Sequence, residues 1–237
     1  MKHVLTILLL PAALLVHGQQ KKPAAPAPKT AATAVNPLKT KKDSVSYALG
    51  LNIARNLQTQ GLDNLNLALV QKGMDEAFNK KKAAMTEEAC NGVIQNYMQK
   101  ISADKALANK VTGQKFLQAN AKRPGMVSLA DGLQYEVLRA GTDTTHPKST
   151  DRVKCHYHGT LIDGTVFDSS VDRGTPADFP VNGVIRGWQE ILPMMTVGSK
   201  WKVYIPSDLA YGDQGAGGKI GPGSALIFDI ELIAILK

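Results

Sequence analysis

The residues in this sequence that could do chemistry are aromatic more than ionisable. Tyr157, Phe167, Trp188, Tyr211 and Phe228, joined by aliphatic Val184 and Ile185, form a set able to line one concavity that holds an apolar ligand and excludes water. The same set can also be plain hydrophobic core, and residue type alone favours core. Other chemistries find less support. Gly212 to Gly223 contain six glycines and Lys219, but Asp213 stands where a phosphate loop needs glycine, and Ile220 where serine or threonine must follow the lysine. A flap over a pocket is the better reading. His156 and His158 share one face of a strand with no third ligand nearby in sequence, so no metal is expected. Cys155 should point inward from a sheet while Cys90 belongs to a helix stripe, which favours two free thiols over a disulfide. No Gly-x-Ser-x-Gly elbow or Ser or Cys nucleophile with its base is present, and no cofactor is expected.

The elements that must position these residues lie between Gly132 and the C-terminus. Val153, Cys155 and Tyr157 fall on one face of a strand by the two-residue period, and Asp163-Gly164 predicts a hairpin that folds the strand carrying Phe167 back beside it. Leu133, Tyr135 and Val137 alternate inward, as do Trp201, Val203 and Ile205, and Leu226, Phe228, Ile230 and Leu232. Phe179 to Val181 reads as a short strand interrupted by Pro180, and Gly187 to Leu192 as one short helix stopped at Pro193. One short helix among about five strands predicts an α+β fold, an antiparallel sheet wrapped around that helix.

Upstream the pattern changes. Lys2 followed by the apolar run Val4 to Val16, too short to span a bilayer comfortably, predicts a signal peptide over residues 1–18, cut after Gly18. Residues 19–42 are Pro, Ala and Lys with no acid or aromatic, a disordered linker. Seven lysines in the first 42 residues carry all but one of the formal +8, so the folded part is nearly neutral and a nucleic-acid partner loses its main support. From Asp43 to Asn120 the chain reads as helices. Asp43 or Ser44 caps the first, with Val45, Ala48, Leu49 and Ile53 inward and Gly61 ending it. The second runs from Asn66 with Leu67, Val70, Met74 and Phe78 on one stripe, and the third starts at Thr86. The third helix's stripe, Cys90, Val93, Ile94, Tyr97 and Ile101, thins before Phe116 and Leu117, which predicts a polar arm bridging domains through solvent. Sixty residues of thin stripe make a poor independent core. A second copy, or packing on the chain's own sheet domain, would remedy that.

Four separated stretches, HYHGTLIDGTVFDSS (156–170), VIRGW (184–188), SDLAYG (207–212) and LIFDIELI (226–233), resemble the FKBP-type peptidyl-prolyl cis/trans isomerases. A weaker similarity to their two-domain periplasmic class, the macrophage infectivity potentiator type, extends back to about Asp43. The resemblance implies a helical dimerisation domain over 43–104, a connecting helix and hinge over 105–127, and an isomerase domain over 128–237. It implies that Tyr157, Phe167, Trp188 and Phe228 line a proline pocket with Trp188 as floor, and that Val184, Ala177 and Ile220 touch substrate. The Ile185 N–H and the Tyr211 hydroxyl would bind peptide carbonyls, and Asp168 would make a polar contact beside the pocket. Expected partners are unfolded or partly folded proline-containing chains, a second copy of the protein, and a macrolide ligand; the expected location is the periplasm, with no membrane span after signal cleavage. A peptide-holding chaperone, with or without catalysis, is the alternative. Two departures bear on macrolides and substrate preference: Ala177 stands where single-domain members carry an aromatic, and Lys219 lies in a flap that is apolar in them.

Overall fold

The computed structural model describes residues 38–236; the expected signal peptide and residues 19–37 of the expected linker lie outside them. Helix α1 (Lys41–Thr59) starts earlier than the sequence suggests. Thr40 is its cap, accepting from the Asp43 N–H at 3.1 Å and donating its own N–H to the Asp43 carboxylate at 2.8 Å. Asp43 therefore sits in the first turn, where its charge suits the helix N-terminus, and closes a capping box with Thr40 in the role expected of Asp43 or Ser44. The helix ends at Gly61, where the Leu62 N–H reaches the Leu57 carbonyl at 3.0 Å. Helix α2 (Leu67–Phe78) is capped by the Asn66 side chain. Neither α1 nor α2 buries a residue, so the stripes expected to face inward stand open on the chain, Phe78 being 87 % exposed.

Helix α3 (Glu87–Asn120) runs unbroken for 34 residues from its Thr86 cap. Its second half corrects the expectation of a solvent bridge. Ala106, Gly113, Leu117 and Asn120 are buried, because the helix lies along the sheet that follows it in the chain. Gly113 makes this approach possible: a Cβ there would stand 3.0 Å from Ala225 Cβ.

Seven strands, β1 (Val127–Ser128), β2 (Gln134–Arg139), β3 (Arg152–Leu161), β4 (Val166–Ser169), β5 (Ala177–Pro180), β6 (Lys200–Ile205) and β7 (Leu226–Leu236), pair antiparallel throughout. The order is β1-β2-β6-β7-β3-β4, and β5 takes the stretch of β3's outer edge that β4 leaves free. Helix α4 (Arg186–Ile191), continued by a 3-10 turn through Pro193, lies in the concave face. Its Trp188 and Ile191 join Val153, Cys155, Tyr157, Val203, Ile205, Leu226, Ile230 and Leu232 in one core. The strand alternation read from the sequence holds for β3, β6 and β7 but not for β2. Leu133 is buried and Tyr135 stacks on Trp201 at 4.4 Å, whereas Val137 is exposed and Gln134, expected outside, is buried. The cause is α3: Gln134 donates to the Leu117 carbonyl at 2.9 Å and accepts from Asn120 at 2.8 Å.

Candidate active site

Strand β3 turns into β4 through Asp163-Gly164, with the Gly164 N–H bonded to the Leu161 carbonyl and the Thr165 N–H to the Asp163 carboxylate. Gly164 has φ +86°, a value that favours glycine, and this four-residue loop sets the register that brings β4 back along Gly159 and Thr160. Phe167 is thereby laid across Gly159. A Cβ at Gly159 would stand 2.7 Å from the Phe167 ring and 2.9 Å from the Phe228 ring, so the missing side chain is what admits both.

These rings surround Trp188. Tyr157, Phe179 and Phe228 each present themselves to it nearly edge-on, with centroids 5.6, 5.6 and 5.3 Å away, and Phe167 meets Phe228 in the same way at 5.4 Å. Together with Val184, Ile185, Asp168 and the loop from Tyr211 to Ile220 they enclose a cavity of about 640 Å³. Of the ten residues expected at the site, nine line this cavity: Tyr157, Phe167, Asp168, Val184, Ile185, Trp188, Tyr211, Ile220 and Phe228. Ala177 does not. It pairs with Cys155 on β5, and its methyl ends in the core; the ring at that part of the wall comes from Phe179, two residues on.

One polar cluster borders the rings. Tyr157 donates its hydroxyl to Asp168 at 2.5 Å, Arg173 binds the other Asp168 oxygen, and a second Arg173 nitrogen donates to the Tyr157 hydroxyl at 2.8 Å. Burial pushes the Asp168 carboxyl up, but the hydrogen bonds from Tyr157 and Arg173 and the Arg173 charge outweigh it and hold Asp168 below its ordinary value. Burial, then the Asp168 hydrogen bond, raise the Tyr157 phenol. The trio therefore stays as a carboxylate, a neutral phenol and a guanidinium at neutral pH, and shapes the wall without a proton poised to move. Arg173 and Gly159 escape a reading of the sequence: one is a charged residue in a surface turn, the other an ordinary strand glycine.

The donors free to meet a ligand are few. Among the described residues the Ile185 N–H, at the start of α4, makes no backbone hydrogen bond, and the hydroxyl of Tyr211, a residue 40 % exposed, has no partner. Gln189 donates to the Val184 carbonyl at 2.7 Å, which fixes the peptide plane carrying the Ile185 N–H. Elsewhere, His156 and His158 on the outer face of β3 lie beside Ser170 and Ser169 at 3.1 and 2.9 Å. Among the described residues no group of three or more His, Cys, Asp and Glu is arranged to hold a metal ion. Both cysteines are free, and burial pushes the Cys155 thiol up to about 12.

Residues 143–233 match the family described as FKBP-type peptidyl-prolyl cis-trans isomerase, and residues 42–137 match the domain amino-terminal to it. The outer membrane protein MIP of Legionella longbeachae is 44 % identical over 214 residues, covering 87 % of this chain and 91 % of that protein. The FKBP-type isomerase FkpA of Aeromonas hydrophila is 44 % identical, over 94 % of this chain and 84 % of its own length. The crystal structure of FkpA from Escherichia coli superposes with a TM-score of 0.65 at 33 % identity, covering 83 % of this chain and 97 % of that one.

Proposed function

The chain belongs to the FKBP-type peptidyl-prolyl cis-trans isomerases, in the two-domain class of Mip and FkpA, and we propose that it isomerises X-Pro bonds in exported proteins as they fold. It is an isomerase of that type; its clients, its location and its mode of assembly are the proposal. The observation that carries the proposal is the ring-lined cavity with an unpaired N–H at its rim. Proline isomerisation makes and breaks no covalent bond and is opposed by amide resonance, a barrier of roughly 18–20 kcal/mol. Water stabilises the planar, polarised amide. A dry wall of Tyr157, Phe167, Trp188 and Phe228 favours the twisted one, whose carbonyl is less polarised, while the Ile185 N–H and the Tyr211 hydroxyl hold the flanking chain. A protease-coupled assay on a proline tetrapeptide tests this: residues 38–237 should accelerate isomerisation, and a rate equal to buffer overturns it. Macrolide binding follows from the same cavity, with Phe179 as its edge aromatic, and is tested by titration.

Export through residues 1–18 and release into the periplasm fit a chain whose described residues include no helix long and apolar enough to cross a membrane. Uncatalysed X-Pro isomerisation takes tens of seconds or more, long enough to limit folding there. Homodimerisation is supported by the apolar side chains that α1, α2 and the first half of α3 leave open, among them Leu49, Leu67, Phe78 and Ile94. Interleaving two copies would bury them, and light scattering on residues 38–237 should give twice the chain mass. The same open stripes favour a second reading, chaperone holding of unfolded clients. Suppression of aggregation for a proline-free client, kept when Trp188 is changed to Ala, would support holding; no suppression would leave catalysis alone.

A further inference from the structure

The loop from Tyr211 to Gly223 supplies Tyr211, Ala216, Gly217, Lys219 and Ile220 to the cavity wall. It is closed by two hydrogen bonds between Ala216 and Ile220 at 2.9 and 3.0 Å and at its neck by the Gly223 N–H on the Gly212 carbonyl at 2.8 Å. Six of its residues are glycine, a composition that leaves the backbone many conformations and gives the loop little reason of its own to hold one.

Helix α3 grips both limbs of this loop. On the descending limb, Asn109 Nδ2 donates to the Pro222 carbonyl at 2.8 Å, and Gly223 lies so close that a Cβ there would stand 2.3 Å from the Ala106 carbonyl oxygen. On the ascending side, Lys110 pairs with Asp213 at 2.7 Å and with Asp208 at 3.2 Å. The two grips come from adjacent residues on a helix whose C-terminal end is fixed to the sheet through Asn120, Gln134 and Arg123. The loop is thus braced from outside the cavity by a rigid element that reaches back into the N-terminal helical region.

We propose that Asn109 and Lys110 are positioning residues for the isomerase reaction, holding the glycine loop in the geometry that presents Tyr211 and Ile220 to the peptide. The proposal rests on the isomerase reading and adds to it that the long helix, outside the catalytic domain in sequence, sets the substrate-side wall. A loop released from α3 must be ordered anew by each substrate. That loss falls on binding, while the opposite wall from β3, α4 and β7 is untouched.

The test combines kinetics with amide hydrogen exchange on residues 38–237. In Asn109→Ala/Lys110→Ala, exchange at the Ala216 and Ile220 amides should rise about tenfold with β3 and β7 amides unchanged. KM for a proline tetrapeptide should rise about fivefold with kcat kept. Lys110→Arg, which retains both ion pairs, should behave as the parent; Asn109→Asp, isosteric but no longer a donor to the Pro222 carbonyl, should show the same changes at smaller amplitude. Exchange and KM within twofold of the parent, or a fall in kcat and KM effects that track only thermal stability, would overturn the proposal. A parent chain inactive on proline peptides would refute the isomerase reading instead, and the exchange arm would still decide whether α3 braces the loop.

Discussion

The face of the sheet that wraps α4 buries rings and aliphatic chains, while the face beneath α3 buries amides and a tyrosine whose hydroxyl is held by Arg123 and Glu136, each at 2.7 Å. Gln134 and Asn120 complete that outer network, and Phe116 tilts against Tyr204 at 6.0 Å. Among the rings of the inner face shape dominates, and one surplus methyl is felt at once. On the outer face direction matters, because a buried amide needs a partner at hydrogen-bonding distance. The two faces thus have separate jobs: the concave one makes the ring-lined cavity, and the convex one takes the helix whose Asn109 and Lys110 hold the loop at the cavity's edge.

The strongest way to break this division is to remove the helix. A fragment starting at Gly125 loses the cover of Phe116 and Leu117 and should be about 4 kcal/mol less stable in urea than one starting at Ser102, two large apolar side chains contributing ~1.5–3 kcal/mol each. Equal stability would mean that α3 is only laid against the sheet. The inner face is sharpened by Gly159→Ala. The added methyl collides with Phe167 and Phe228, so stability should fall by about 2 kcal/mol and kcat/KM by tenfold or more, measured by urea unfolding and the peptide assay.

A smaller change probes the polar edge of the cavity. Asp168→Ala strands the Tyr157 hydroxyl and Arg173 and should lower kcat/KM about tenfold, the effect of losing ~1.4 kcal/mol. Because Asp168 titrates lower in the folded chain than unfolded, its support is present above about pH 4 and is lost as the pH falls through the folded value. A pH–stability curve of the variant should therefore converge on the parent's in acid. The smallest effect belongs outside: Arg123→Ala should lower the urea midpoint only slightly, since its guanidinium is half exposed, and leave kcat/KM unchanged. A loss of activity there would erase the distinction between the faces.

The strands, the short helix and most of the cavity wall are legible in the sequence, because the inner-facing residues of β3, β6 and β7 are mainly apolar and most of their outer neighbours, among them Lys154, His156, Lys202, Asp229 and Glu231, are polar, so period two reports the face. The sequence also carried the Asp163-Gly164 hairpin, the start of α2 near Asn66 and the Thr86 start of α3, whose signals are local. What depends on partners far along the chain emerges only once the chain is folded. Gln134 is buried because Leu117 and Asn120 come back over it; Arg173 joins the site because a turn swings it onto Asp168; Phe179, not Ala177, supplies the edge ring because β5 pairs with β3 in the register that sets Phe179 opposite Val153. The second half of α3 is the sharpest case. Its stripe is small and polar, Ala106, Asn109, Lys110 and Gly113, and a sequence so composed reads as solvated until the surface that fits it is known. Small residues allow close backbone approach and polar ones find specific acceptors, and neither leaves a mark in hydrophobic periodicity.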